Sequence, residues 1–159
     1  MNITILCVGK IKEKFYKDAI NEYSKRLSKY TKLTIIELED EETIQNSGSA
    51  METIVKNKEG DRILKRIPSG SYIITLEIEG EKTDSVGLSK KINNLALNGK
   101  SNLCFIIGGS LGLSDNVKKL SDYKLSFSDM TFPHQLMRVI LLEQIYRSFK
   151  ISNNEPYHK

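Results

Sequence analysis

The sequence predicts an α/β domain with a mostly parallel sheet flanked by helices. Three observations carry that prediction. Short apolar runs rich in β-branched residues alternate five times with longer segments of helical period. The runs are apolar almost continuously, as in strands covered on both faces, rather than at every second residue. The segments between them place apolar residues three and four apart, which marks one face of a helix, and such alternation builds parallel sheets.

The first run, 3–8, reads Ile-Thr-Ile-Leu-Cys-Val and predicts a buried strand. Residues 13–30 set Phe15, Ala19, Tyr23, Leu27 and Tyr30 on one helical face. A second strand is expected over 33–38, followed by an acidic loop over 39–50. Met51, Ile54, Val55, Ile63 and Ile67 predict a helix over 51–66, ended by Pro68 and Gly70. A third strand covers 72–78, and Gly80 reads as a turn. Val86, Leu88, Ile92, Leu95 and Leu97 give a helix over 85–98, stopped by Gly99. The fourth strand, 103–107, runs into Gly108-Gly109-Ser110-Leu111-Gly112. A short helix over 114–121, a fifth strand over 123–127, a last helix over 134–150 and a polar tail over 152–159 complete the chain. Neither repeat nor linker interrupts the pattern, so one domain over 1–159 is expected.

Composition narrows the function. Apolar residues make up 39% and charged residues 28%, with 10 Gly and 3 Pro; collagen-like, low-complexity and largely disordered classes are excluded. No apolar run approaches the roughly 20 residues of a membrane span. The apolar start of the chain is short and lacks a basic flank, so no secretory leader is expected. Cys7 and Cys104 sit in apolar runs without metal-ligand neighbours, which points to a reduced, cytoplasmic protein. The net charge is +4, but unevenly spread. Residues 1–32 carry eight basic and three acidic side chains, and residues 33–61 carry two and eight. Such a basic edge either orients the protein on a polyanion or is an ordinary solvated surface.

The last helix is apolar on nearly every side, from Leu136 and Met137 to Tyr146 and Phe149. A sheet covers one face only. The expected second cover is another copy of the chain in a symmetric homodimer; the other solution is a helix central to one subunit.

Three groups of residues carry possible chemistry. The glycine-rich stretch 108–112 lets backbone approach a ligand closely, or it is a structural turn. It is neither a Walker A motif nor G-x-G-x-x-G, which disfavours the usual dinucleotide site. The segment 126–135, Ser-Phe-Ser-Asp-Met-Thr-Phe-Pro-His-Gln, offers backbone groups to bracket an adenine edge between apolar walls. It also reads as a helix start, with Thr131 near the N-cap and Pro133 near the first turn. The end of the chain groups Tyr157, His158 and Lys159, either a frayed, silent tail or a set that closes over an anionic substrate. Arg138 and Arg147 sit among apolar neighbours and need partners, either Glu143 or an external phosphate. No cluster has metal-ligand spacing, so no metal is expected.

Val8-Gly9-Lys10, Thr75-Leu76-Glu77, Phe105–Gly112, Leu125–Gln135 and the terminal Pro156-Tyr157-His158-Lys159 together resemble the ribosomal RNA large subunit methyltransferase H family, part of the SPOUT superfamily. The resemblance runs from Met1 to Lys159, and its most specific part is 126–135. It implies an α/β domain with a C-terminal trefoil knot, a rare exception among protein chains. It implies S-adenosylmethionine as cofactor, held by Leu76, Gly108, Phe127, Ser128, Asp129, Met130, Thr131 and Phe132. It implies, as substrate, N3 of a pseudouridine in the helix 69 loop of 23S rRNA within the ribosome, and a homodimer as the working form. Tyr157, His158 and Arg138 are the expected catalytic residues, with Lys159 beside them on phosphate or carbonyl oxygen. Lys10, Lys12, Lys14 and Lys17 are expected on RNA phosphates. The competing reading is a non-catalytic ribosome-binding factor with a methyltransferase-like fold.

Overall fold

A computed structural model describes residues 1–159. The elements follow in the order β1 (Asn2–Val8), α1 (Lys14–Leu27), β2 (Lys32–Leu38), α2 (Ser49–Leu64), β3 (Tyr72–Lys82), α3 (Ser85–Leu97), β4 (Asn102–Ile107), α4 (Asp115–Lys119), β5 (Tyr123–Ser126) and α5 (His134–Ser152). The five strands form one sheet, ordered β2-β1-β4-β3-β5, with every pairing parallel.

The order explains the apolar runs. β1 lies between β2 and β4, and β4 lies between β1 and β3, so neither is an edge strand, and helices cover both of their faces. Ile3, Ile5, Leu6, Cys7 and Val8 are buried, as are Leu103 to Ile107. Alternate residues feed two cores. Ile3, Ile5, Cys7, Phe105 and Ile107 pack with Leu27 of α1, Leu88 and Ile92 of α3, and Leu141, Leu142 and Ile145 of α5. Leu6, Val8, Cys104 and Ile106 pack on the other side with Ile63 of α2 and Val117 of α4. At roughly 25 cal/mol per Å² of apolar surface, these two layers supply the main drive to fold.

α5 contacts both α1 and α3. Much of its apolar girth is therefore absorbed inside one subunit, by the arrangement the sequence reading set second. Leu136, Met137, Val139 and Ile140 near its start stay half-exposed.

Four local expectations need correction. Phe15 is 64% exposed and lies against Tyr16; the inner face of α1 is instead Ile20, Tyr23 and Leu27. Met51 and Ile54 are likewise exposed, and α2 buries Val55, Glu59, Gly60 and Ile63. Gly80 is no turn. It lies inside β3, where the pairing with β5 slips between Leu76 and Glu81; a Cβ there would meet the Lys124 carbonyl oxygen at 2.7 Å. A glycine in a strand marks such a close backbone approach.

The fourth correction concerns the tail, which is docked rather than frayed. The Glu155 carboxylate accepts from Lys150 Nζ at 2.5 Å, from the Tyr30 hydroxyl at 2.7 Å and from Lys29 Nζ at 3.3 Å. Hydrogen bonds from Lys150 and Tyr30 hold its pKa down at about 2.

Candidate functional site

In parallel sheets ligands bind beyond the carboxyl ends of the strands. A cleft of about 540 Å³ opens there. Its walls are the end of β3 (Leu76, Glu77, Ile78), the loop after β4 (Gly108, Gly109, Ser110, Gly112) and the segment from Phe127 through His134 except Asp129. Met137 of α5 completes the lining. The volume falls within the usual range for small-ligand sites.

Each wall has a local cause. Gly108 must be glycine, because a Cβ would stand 2.8 Å from the backbone carbon of Gly112 and 3.1 Å from Leu113 Cδ2. The loop therefore folds tightly on itself and presents backbone to the cleft. In the segment after β5, the Ser128 hydroxyl accepts from the Met130 N–H at 3.0 Å, turning the chain back. The helix start differs from expectation: Pro133 occupies the N-cap position of α5, and no side chain caps it. The first-turn N–H groups of α5 thus have no capping partner. On the opposite wall the Thr75 hydroxyl donates to Glu77 Oε1 at 2.7 Å, fixing that carboxylate.

Seven of the eight expected cofactor residues line this one cleft: Leu76, Gly108, Phe127, Ser128, Met130, Thr131 and Phe132. Asp129 does not; it is exposed and pairs with Lys82 at 2.5 Å. His134 and Glu77 also line the cleft, although the sequence reading gave neither a binding role. Burial and the nearby Arg138 cation push the His134 pKa down, favouring the neutral imidazole.

Of the expected catalytic residues, Tyr157 and His158 lie apart from the cleft within one subunit, and Arg138 is buried behind His134. Arg138 is only 2% exposed. It donates to Glu37 at 2.7 Å, to the Gly9 carbonyl at 2.6 Å and to the Val8 carbonyl at 3.0 Å. Its partner is therefore neither Glu143 nor an external phosphate, and it cannot reach a substrate from this position. Arg147 does pair with Glu143, at 2.7 Å. Tyr157 donates to the same Glu143 oxygen at 3.1 Å, and His158 Nδ1 lies 3.3 Å from Arg147. Burial pushes the Tyr157 phenol up to about 12. Glu143 follows His134 by nine residues on α5, which puts this tail cluster about 13 Å along the helix from the cleft.

The comparisons with known proteins agree with this architecture. The family described as SPOUT methyltransferases matches residues 1–158. A Clostridium botulinum protein named ribosomal RNA large subunit methyltransferase H is 62% identical over 159 residues, all of both chains. Among solved structures, a methylase-family protein from Haemophilus influenzae superposes with a TM-score of 0.55 at 11% identity, over 99% of this chain and 70% of that one. A Legionella pneumophila methyltransferase-fold protein, solved with SAM bound, gives 0.51 at 11% identity, over 94% of this chain and 66% of that one. At such identities the two structures speak for the fold alone.

Proposed function

The chain belongs to the SPOUT methyltransferase family, and from that premise we propose that it transfers the methyl group of S-adenosylmethionine to 23S ribosomal RNA of the large subunit, at N3 of a pseudouridine in the helix 69 loop. The observation that carries this reading is the convergence of the β3 end, the glycine loop after β4 and the segment 127–132 on one cleft. The full-length likeness to a large-subunit rRNA methyltransferase supports the substrate class.

The residues present fit the cofactor. Phe127, Met130, Phe132 and Leu76 give apolar walls for an adenosyl group, and the glycine loop and the first turn of α5 give backbone polar groups at the rim. Bound there, S-adenosylmethionine supplies a methyl group already activated on a positively charged sulfur. The protein's task is then alignment of the acceptor. N3 of pseudouridine lies between two carbonyls and carries a proton at neutral pH. As the N3–methyl bond forms and the sulfur–methyl bond breaks, that proton must pass to a base. His158 is the proposed acceptor. Tyr157 orients the base, and Lys159 stabilises charge on its carbonyl oxygen or binds phosphate. Arg138 positions rather than touches, by tying α5 to the end of β1.

Because the tail cluster stands away from the cleft of its own subunit, the working form is a homodimer in which one protomer's tail completes its partner's cleft. The half-exposed apolar start of α5 is the proposed contact. The C-terminal crossing around the cleft is proposed as a trefoil knot, and the compartment as the cytoplasm. Lys10, Lys12, Lys14 and Lys17, all exposed, are proposed to lie on RNA phosphates.

Two measurements test the reading. Calorimetric titration should give one cofactor site per chain, and mass mapping of 23S rRNA from a deletion strain should show one methyl missing from the helix 69 loop. An unaltered helix 69 mass would defeat the substrate assignment; absent binding would defeat the enzyme.

A further inference from the structure

Glu59 is no part of the cleft wall, yet it sits directly behind it. The residue is 4% exposed on α2. Its Oε1 accepts from the Glu41 N–H at 3.0 Å, while Oε2 has no hydrogen-bond partner at all. A Cβ built on Gly109 would lie 3.0 Å from Oε2, 3.3 Å from Oε1 and 3.1 Å from Val8 Cγ1. The carboxyl therefore fills the space that a side chain at 109 would need. The charges that act on it are Asp40 and Glu41 of the segment after β2, and Arg62 further along α2. Arg62 is engaged elsewhere: it donates to the Glu39 carbonyl at 2.9 Å and to the Glu41 carboxylate.

A buried carboxyl oxygen without a partner is destabilising, and an apolar side chain of similar size would avoid that cost. Folding alone gives no reason for a carboxyl here. The loop it faces does, because Gly108 to Gly112 presents its backbone to the cleft and has few side-chain anchors of its own. One of them, Ser110, meets Thr43 of the same acidic segment at 3.4 Å between hydroxyl oxygens. Glu59 thus gathers the segment after β2 and the glycine loop at a single point.

We propose that Glu59 is a positioning residue for the methyl-donor site: its carboxyl props the glycine loop from behind and sets the loop's height over the cleft. This rests on reading the cleft as the S-adenosylmethionine site. The matched fit with Gly109 makes it testable by a mutant cycle. Cofactor affinity, kcat, KM and melting temperature are compared for Glu59→Gln, Glu59→Ala, Gly109→Ala and the double variant Glu59→Ala with Gly109→Ala. Gln keeps the shape and should bind cofactor within about threefold of the unaltered protein, whereas Ala should weaken binding by about tenfold with kcat at saturation retained. Gly109→Ala should weaken binding by at least about tenfold, and the double variant should bind better than Gly109→Ala alone, because the new methyl enters the vacated space. Should Glu59→Ala fail to fold, Glu59→Asp, one methylene shorter, carries the same comparison. Unchanged affinity in Glu59→Ala, or losses that simply multiply in the double variant, would overturn the proposal while leaving the cofactor site standing. If the unaltered protein binds no cofactor, the site reading fails and this inference fails with it.

Discussion

Arg138 donates to the carbonyl oxygen of Gly9 at 2.6 Å across 129 residues of chain. That bond fastens the end of β1 to the first turns of α5, one turn beyond His134 at the cleft. The same guanidinium reaches Val8 and Glu37 and is almost wholly buried. Removing it leaves two buried carbonyls without their donor and Glu37 without its cation. Arg138→Met should therefore lower stability by about 3 kcal/mol, read from urea unfolding, and Arg138→Lys should not restore it. A planar fork serves these three acceptors together, and an ammonium cannot match it. A variant with unchanged midpoint and slope would show that these bonds contribute nothing net.

Gly108→Ala should act first on the cleft. The added methyl would stand 2.8 Å from the Gly112 backbone, so the loop must open. Cofactor affinity should fall by at least about tenfold, and the melting temperature should drop by a few degrees because the methyl also presses on the buried Leu113. A collapse of stability with no change in affinity at low temperature would contradict this.

The strands and the cleft were legible because their signals are local. Nearly unbroken apolar runs mark β1 and β4 as buried, and the unusual stretch 126–135 supplies one wall of the cleft. Features that depend on distant partners were not. Gly80 reads as a turn until the close approach of the Lys124 backbone is known. Glu37 and Arg138 lie 101 positions apart, and no spacing rule joins them. The tail looked frayed because the partners of Glu155 include Lys29 and Tyr30, more than a hundred residues away. Glu59 gave no signal at all: it reads as an ordinary helix glutamate, and only burial sets it apart.

The tail clasp sets an acid limit. In the folded state Glu155 has a pKa of about 2, against 4.5 for a free side chain. A depressed folded value means that the contribution is fully present above the unfolded value and is lost as pH falls through the folded one. The pairs are solvent-screened, so the effect is modest. Glu155→Gln should melt below the unaltered protein at pH 7, and the gap should close as pH approaches 2. A constant gap across that range would mean that the hydroxyl and backbone contacts, rather than the charge, hold the tail.

Glu59 should give the opposite slope. Burial and the neighbouring Asp40 and Glu41 carboxylates raise its pKa, with Arg62 and the Glu41 N–H opposing them. A raised folded value favours the protonated form, so its contribution is complete below the unfolded value near 4.5 and is lost as pH rises through the folded one. Glu59→Gln should therefore flatten the fall in melting temperature above pH 5. Parallel curves for the two proteins would place the ionisation elsewhere.

The separation of tail and cleft decides how many chains make one active centre. Within a subunit, Tyr157 and His158 dock beside Glu143 and Arg147, about 13 and 20 Å along α5 from His134. If the tail serves the partner's cleft, two variants should repair one another when assayed at a cofactor concentration that fills the unaltered cleft but not the Gly108→Ala cleft, where each variant alone is silent. One carries Gly108→Ala with an intact tail; the other carries Tyr157→Ala and His158→Ala with an intact cleft. Mixed in equal amounts and allowed to exchange, half the dimers pair one of each, and each such dimer holds one complete centre. Single-turnover methylation should recover to about a quarter of the unaltered site count under the symmetry of a two-fold dimer. Recovery requires subunit exchange, so mixing on ice for minutes should give none while prolonged warming gives the full value. If exchange is verified by mass and activity stays at zero, each tail must swing back to its own cleft, and the dimeric account of the centre falls.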